Sequence, residues 1–202
     1  MNGGDFGAIL WKQRKRHLVA CVAAILGLTS PAAFATVFVF NCNDAGAGSL
    51  RDAIAGAPSG ETVDASGLDG VCSTITLTTG GISVDKTDLT IIGPGADKLS
   101  VTAKYNNHQY KDRIFTHTGT GQLYLQDMTV SKGYVLDFRA RGGCVYSKGS
   151  VLLKNTSVTG CEAKTKDNGG TAIGGGIFAK GALTSRIRSF DCCASLVFAD
   201  GE

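Results

Sequence analysis

Cysteine has the widest chemical choice of any side chain in this sequence, because a thiolate can bind zinc, act as a nucleophile or oxidise to a disulfide. The chain has seven, and Cys42, Cys72, Cys144, Cys161, Cys192 and Cys193 follow residue 35. No Cys-x-x-Cys and no neighbouring histidine pair accompanies them, which argues against zinc. An even number of cysteines in an exported chain points to disulfides. Cys42 and Cys72 bracket an N-terminal segment, and linking them would close a loop worth roughly 3 to 4 kcal/mol in the chain-entropy picture. Cys161 and Cys193 hold equivalent places in a repeat described below. They could bridge across the roughly 4.8 Å between stacked strands. Cys144–Cys161 is the competing pairing and is slightly preferred.

The other reactive side chains are dispersed. Asp64, Asp69, Asp85, Asp88, Asp97, Asp112, Asp127, Asp137, Glu162 and Asp167 stand mostly singly at corners or strand ends, with no evident acid–base pair. Tyr105-Asn106-Asn107-His108-Gln109-Tyr110 could hold a sugar by stacking and hydrogen bonding, through Tyr105, Asn107, His108 and Tyr110, with His117 beyond it. A solvated loop is the plainer reading of that segment. Asn155-Thr156-Ser157 is a glycosylation sequon, but its repeat equivalent, Asp127, indicates a corner-capping role. Gly174-Gly175-Gly176 lacks a following Gly-Lys-Ser/Thr and reads as a tight corner instead of a phosphate loop. Lys164-Thr165-Lys166-Asp167-Asn168 reads as a polar coil-to-coil loop, a usual place for a binding surface. No catalytic residue, metal or cofactor is assigned.

The elements that position these residues repeat. Gly143-Cys144-Val145-Tyr146-Ser147-Lys148-Gly149 returns 32 residues on as Gly175-Gly176-Ile177-Phe178-Ala179-Lys180-Gly181, and Gly121 to Ser131 matches Gly149 to Thr159 at an offset of 28. Such a period marks a solenoid. Apolar and polar residues alternate within each copy (Leu123, Leu125; Val151, Leu153), as in a half-buried strand, and helical spacing is missing. A parallel β-helix satisfies both facts, its coils burying their apolar faces on one another.

Residues 1–35 read as a secretory signal: Lys12, Arg14, Lys15 and Arg16, then an apolar run from Leu18 to Leu28, then Ala33-Phe34-Ala35 as cleavage site. Export to the cell surface, the outer membrane or the medium is therefore expected. The whole chain has 20 basic and 17 acidic residues; four and one of these fall in the leader, so 16 of each remain. A neutral mature chain offers no electrostatic footprint for nucleic acid.

Residues 36–72 read as a strand (Val37 to Phe40) and a capping helix from Ser49 to Gly56, with Ser49 as N-cap and Asp52 completing a near capping box. Residues 73–183 read as coils, beginning with strands over Thr74–Thr78, Gly81–Asp85 and Asp88–Ile92. Three strands per coil give a triangular section.

The order Ser49-Leu50-Arg51-Asp52-Ala53-Ile54, Asp64 to Leu68, Ile75-Thr76-Leu77, Leu89 to Ala96 and the Gly-Gly-Ile-Phe copies resembles bacterial β-helix surface proteins of the pectin-lyase-like superfamily, of the polymorphic outer membrane or choice-of-anchor type. The resemblance covers roughly residues 36–183 and implies an all-β fold, a right-handed parallel β-helix with a short N-terminal capping helix. It says little about activity. Polysaccharide lyases of the superfamily use clustered aspartates for calcium and a basic residue for proton abstraction, and Arg186-Ile187-Arg188 matches that basic motif only loosely. Residues 184–202 lose the pattern and read as a truncated or frameshifted tail. The functional expectation is a non-catalytic, adhesin-like or structural surface protein meeting polysaccharide or a host surface, anchored or peripheral through a missing C-terminal part. The alternative is a polysaccharide-binding or pectate-lyase-like protein.

Overall fold

The computed structural model describes residues 36–104, 112–166, 169–186, 189–190 and 196–198, the last two stretches as backbone only. Contacts divide the chain into Met1–Ala33 and Phe34–Glu202, and the fold described is that of the second unit.

Sixteen of the described strands stack into three parallel sheets of six, five and five. Face A holds Thr36–Phe38, Thr62–Asp64, Leu89–Ile92, Gln122–Gln126, Ser150–Lys154 and Leu183–Arg186. Face B holds Thr74–Leu77, Ser100–Ala103, Thr129–Ser131, Ser157–Thr159 and Ser189–Phe190. Face C holds Ile82–Val84, Phe115–His117, Val145–Ser147, Ile177–Ala179 and Leu196–Phe198. From Thr62 onward the chain visits A, B and C in turn, and every pairing is parallel, so the architecture is the expected β-solenoid. Both repeat offsets appear as register: Leu123 lies beside Val151, and Val145 beside Ile177.

The alternating pattern sorts side chains inward and outward, and stacking turns the inward set into columns. Leu89, Leu123, Val151 and Leu183 form one column of face A, and Val63, Ile91, Leu125 and Leu153 form another. Ile75, Val101, Val130 and Val158 line face B, and Ile82, Phe115, Val145 and Ile177 line face C. All are buried. A one-residue slip would turn a strand's whole apolar set outward, so the columns fix the register.

Corners repeat their backbone as well. Asp127 and Asn155 share a left-handed conformation, φ 53° and 49°, and the Asn155 amide donates to Asp127 Oδ1, which is the corner role expected of the sequon residue. Gly149 sits where adjacent coils pass closely, and a Cβ there would collide with the Gly121 carbonyl.

The helix spans Leu50–Gly56 and buries Leu50, Ala53 and Ile54. Ser49 Oγ accepts from the Asp52 N–H at 3.2 Å, as expected of an N-cap. Only half of the capping box forms, because the Ser49 N–H already donates to the Gly46 carbonyl at 3.1 Å. The first strand is Thr36–Phe38, not Val37 to Phe40; Val39 is buried beyond it and Phe40 exposed. Strand stacking also runs past both ends of the 73–183 span, since Thr62–Asp64 already pairs with Thr90–Ile92 and Leu196–Phe198 pairs with Ile177–Ala179.

Arg51 and Asp44 fasten the helix to the first coil. Arg51 donates to the carbonyls of Gly80 at 2.6 Å and Gly81 at 2.7 Å, and to Asp44 Oδ1 at 2.6 Å. Asp44 Oδ2 accepts the backbone N–H and hydroxyl of both Thr78 and Thr79 at 2.7–2.8 Å. Burial alone would raise the Asp44 carboxyl, but the hydrogen bonds from Arg51, Thr79 and Thr78 outweigh it and hold the group well below the usual carboxylate range. A depressed folded-state pKa means the stabilisation is full above about pH 5 and drains away as pH falls below about 4. Asp44→Asn should lower unfolding stability at pH 7 by about 1–3 kcal/mol in urea titration. The gap to the parent should narrow as the titration is repeated towards pH 2.

Candidate functional site

The corner between faces B and C is where the section departs from a triangle. In the first coil Thr78 to Gly81 turns it tightly. Two later coils run outward there through Tyr134–Asp137 with Arg139–Arg141 and through Glu162–Thr165 with Thr171–Ile173. The two excursions pair in parallel, Tyr134 beside Glu162 and Arg139 beside Thr171, making a lateral shelf of two small sheets. Lys164 and Thr165, expected in a loop, lie on one of these strands, whose partner is the preceding coil. Tyr134, Val135, Ala140 and Phe178 are buried outside the main core cluster, so the shelf has an apolar base of its own.

Where the shelf meets face C, aromatics and arginines stack. Tyr146 and Phe178 are neighbours in the outward row of face C, with ring centroids 5.6 Å apart and planes within 7°. The Arg113 guanidinium lies 5.2 Å from the Tyr146 centroid and that of Arg141 4.9 Å from the Phe178 centroid, both within cation–π range. Arg113 Nε also donates to the carbonyls of Arg141 and Gly142, each at 3.0 Å. Burial lowers the Arg113 pKa, and Asp112, Tyr146 and Asp137 partly oppose that.

Lys132, Gly133, Tyr134, Gly160 and Glu162 line a cleft of about 390 Å³ in the shelf. Lys164 Nζ stands 5.9 Å from the Tyr134 ring centroid and 2.8 Å from Glu162 Oε1. Lys132 and Gly160 hold equivalent left-handed positions, φ 58° and 60°, opening the corner identically in both coils. Beneath it Cys144 and Cys161 are fully buried at disulfide distance, Cα–Cα 5.4 Å, and Gly133 N–H donates to Cys144 Sγ at 3.2 Å. An aromatic edge, an ammonium and a carboxylate around one cleft suit a hydroxyl-rich, ring-shaped ligand. A second hollow, about 380 Å³, lies on the outside of face A against Tyr124, Leu152, Lys154, Thr184 and Arg186.

Tyr105, Asn107, His108 and Tyr110 lie outside the described residues, as do Cys192, Cys193 and residues 1–35. The flanks of the Tyr-rich segment belong to the same corner: Lys104 N–H donates to the Leu77 carbonyl at 2.9 Å and Tyr134 N–H to the Asp112 carbonyl at 3.0 Å. His117, beyond that segment, points into the core and is fully buried, so it offers nothing to a ligand at the surface. Its Nε2 lies 2.9 Å from the Lys86 carbonyl, which can only accept, so Nε2 carries the hydrogen. Nδ1 then accepts from the Ser147 hydroxyl at 2.7 Å. Cys42 and Cys72 stand at disulfide distance, Cα–Cα 6.5 Å. Several acids accept main-chain N–H groups at corners: Asp64 from Ser66 at 2.8 Å, Asp88 from Gln122 at 2.6 Å, Asp112 from Gly81 at 2.9 Å and Asp137 from Phe138 at 2.7 Å. Among the described residues no three His, Cys, Asp or Glu side chains gather as a metal site.

The sequence reading missed Tyr134, Arg113, Arg141 and the Tyr146–Phe178 stack. One signal was present: both repeat copies carry an aromatic at the outward position of an alternating strand, where a polar residue is expected.

No family profile matches the chain, and neither a curated protein nor a solved structure matches it.

Peptide mapping without reduction should recover Cys42 joined to Cys72 and Cys144 joined to Cys161. Replacing Cys144 and Cys161 together by serine should cost about 3 kcal/mol in urea unfolding, the value for closing a loop of that length.

Proposed function

We propose that this chain is an exported, non-catalytic surface protein of adhesin-like or structural type, its signal removed near Ala35. In this reading the coil is right-handed and belongs with the pectin-lyase-like surface proteins of bacteria, and the shelf at the B-to-C corner meets polysaccharide or a host surface. The observation that carries the proposal is the shelf itself. Successive coils depart from one corner to build a single outward surface, braced by the solenoid behind it and by the Cys144–Cys161 pair beneath. Loops and extensions on a rigid scaffold are where binding surfaces concentrate. The leader pattern and the paired cysteines agree with export. The corner carboxylates are engaged by backbone N–H groups, which favours a structural use of those acids over general acid–base work.

A polysaccharide-degrading protein is the second reading, supported by the sugar-sized cleft beside Tyr134. Glycan-array binding alongside uronate-lyase absorbance, on the oxidised chain from Thr36 with calcium and with chelator, separates the two. Binding without turnover is the expected result. Lys164→Ala should weaken it about tenfold to a hundredfold, the loss of one charged hydrogen bond, with melting unchanged. Calcium-dependent turnover would replace the proposal with the second reading, and a folded chain silent in both assays would overturn both.

A further inference from the structure

Glu61 occupies a place where a carboxylate is costly. It precedes Thr62–Asp64 on face A, and continuing the register between Thr62 and Thr90 by one residue sets it beside Leu89. That is the head of the inward column Leu89, Leu123, Val151 and Leu183. Glu61 is only 8% exposed, and its Oε2 is buried with no hydrogen-bond partner among the described residues. Two cations at this end of the solenoid are engaged elsewhere: Lys86 Nζ donates to the Ala55 carbonyl at 3.1 Å and pairs with Asp85, and Arg51 is held by Asp44, Gly80 and Gly81. A buried carboxylate without a partner costs several kcal/mol, so a group on that side of the coil should complete it.

The neighbour there is the first strand. Thr36 lies beside Thr62 in a parallel pair, so its main-chain nitrogen runs next to residue 61 at the spacing of adjacent strands, about 4.8 Å. Export processing between Ala35 and Thr36 would turn that amide into an ammonium. We infer that the mature N-terminal ammonium of Thr36 is the partner of Glu61, an ion pair that exists only after cleavage and locks the outermost strand of face A onto the solenoid. The inference rests on the processing reading given above. Cleavage hydrolyses the Ala35–Thr36 bond: the water oxygen joins the Ala35 carbonyl carbon to give the carboxylate, and the two water hydrogens join the Thr36 nitrogen, which keeps its amide hydrogen and is an ammonium at neutral pH. The pair thus couples removal of the leader to completion of the fold.

The test uses the full chain secreted and processed in a bacterial host, with Glu61→Gln and Glu61→Leu made in parallel. Intact mass and N-terminal sequencing establish the mature terminus, and an N-terminus-selective aldehyde reagent measures amine accessibility. Thr36 should be terminal, its amine should label slowly in the parent and at least tenfold faster in Glu61→Gln, and Glu61→Gln should melt about 5 °C or more lower. A terminus elsewhere would overturn the processing reading and the ion pair together. Thr36 found terminal, with equal labelling in parent and variant or with Gln or Leu at 61 raising the melting temperature, would overturn the ion pair alone.

Discussion

Everything in this molecule depends on one constraint: successive coils must stack in register so that each inward side chain meets its counterpart in the next turn. A coil has no hydrophobic interior of its own, and its apolar residues are buried only by the coils on either side. This explains why most columns hold only leucine, isoleucine and valine, with Phe115 in one column of face C, and why the other column there, Val84, His117, Ser147 and Ala179, pairs its two polar members with each other. It explains why corner residues repeat their backbone conformation: a coil that turned differently would carry its next strand off register. Gly142 and Gly174, at equivalent places with φ 62° and 65°, show the same rule at the shelf. At the N-terminal end the column needs a cover, which the helix supplies with Leu50, Ala53 and Ile54 while Arg51 and Asp44 hold it down.

Stacking also shapes the shelf. Strands that leave the solenoid lose the central column as a packing partner, so they pair with each other and bury Tyr134, Val135 and Ala140 against what lies behind. Arg113 and Arg141 lie against the rings of Tyr146 and Phe178, and Arg113 also bonds the carbonyls of the neighbouring coil. Cys144 and Cys161 join the point where one coil returns to face C with the point where the next leaves. The cleft beside Tyr134 is therefore held from three directions, which makes it a preorganised surface, and a binder with fixed groups loses less entropy on association.

Much of the solenoid was legible because its signal is local and repeated. Alternation at Leu123, Leu125, Val151 and Leu153 marks strands, and the offsets of 28 and 32 fix which strands pair. Ser49 announced the helix start, and the cysteines bracketing the N-terminal segment suggested Cys42–Cys72, while Cys144–Cys161 was only slightly preferred over Cys161–Cys193. The shelf was less legible, since Glu162-Ala163-Lys164-Thr165 has no apolar alternation and is a strand only because Tyr134–Asp137 lies beside it. His117 misled for the opposite reason: a polar side chain stood at an inward position, satisfied by Ser147 and the Lys86 carbonyl, which lie 30 and 31 residues away. The Arg51–Gly80 and Asp44–Thr79 contacts also bridge residues distant in sequence, and no local pattern announces them.

The central claim is the register, and cysteine cross-linking on the outside of face A reads it directly. Tyr124 and Leu152 are register partners there, whereas Thr90 is one coil further from Leu152. Parallel neighbours about 4.8 Å apart are within disulfide range, and a separation of two coils, near 10 Å, is outside it. The variant with cysteines at 124 and 152 should cross-link on mild oxidation while the variant with cysteines at 90 and 152 should not. Cross-linking of the 90 and 152 pair, with none between 124 and 152, would contradict the stacked coil.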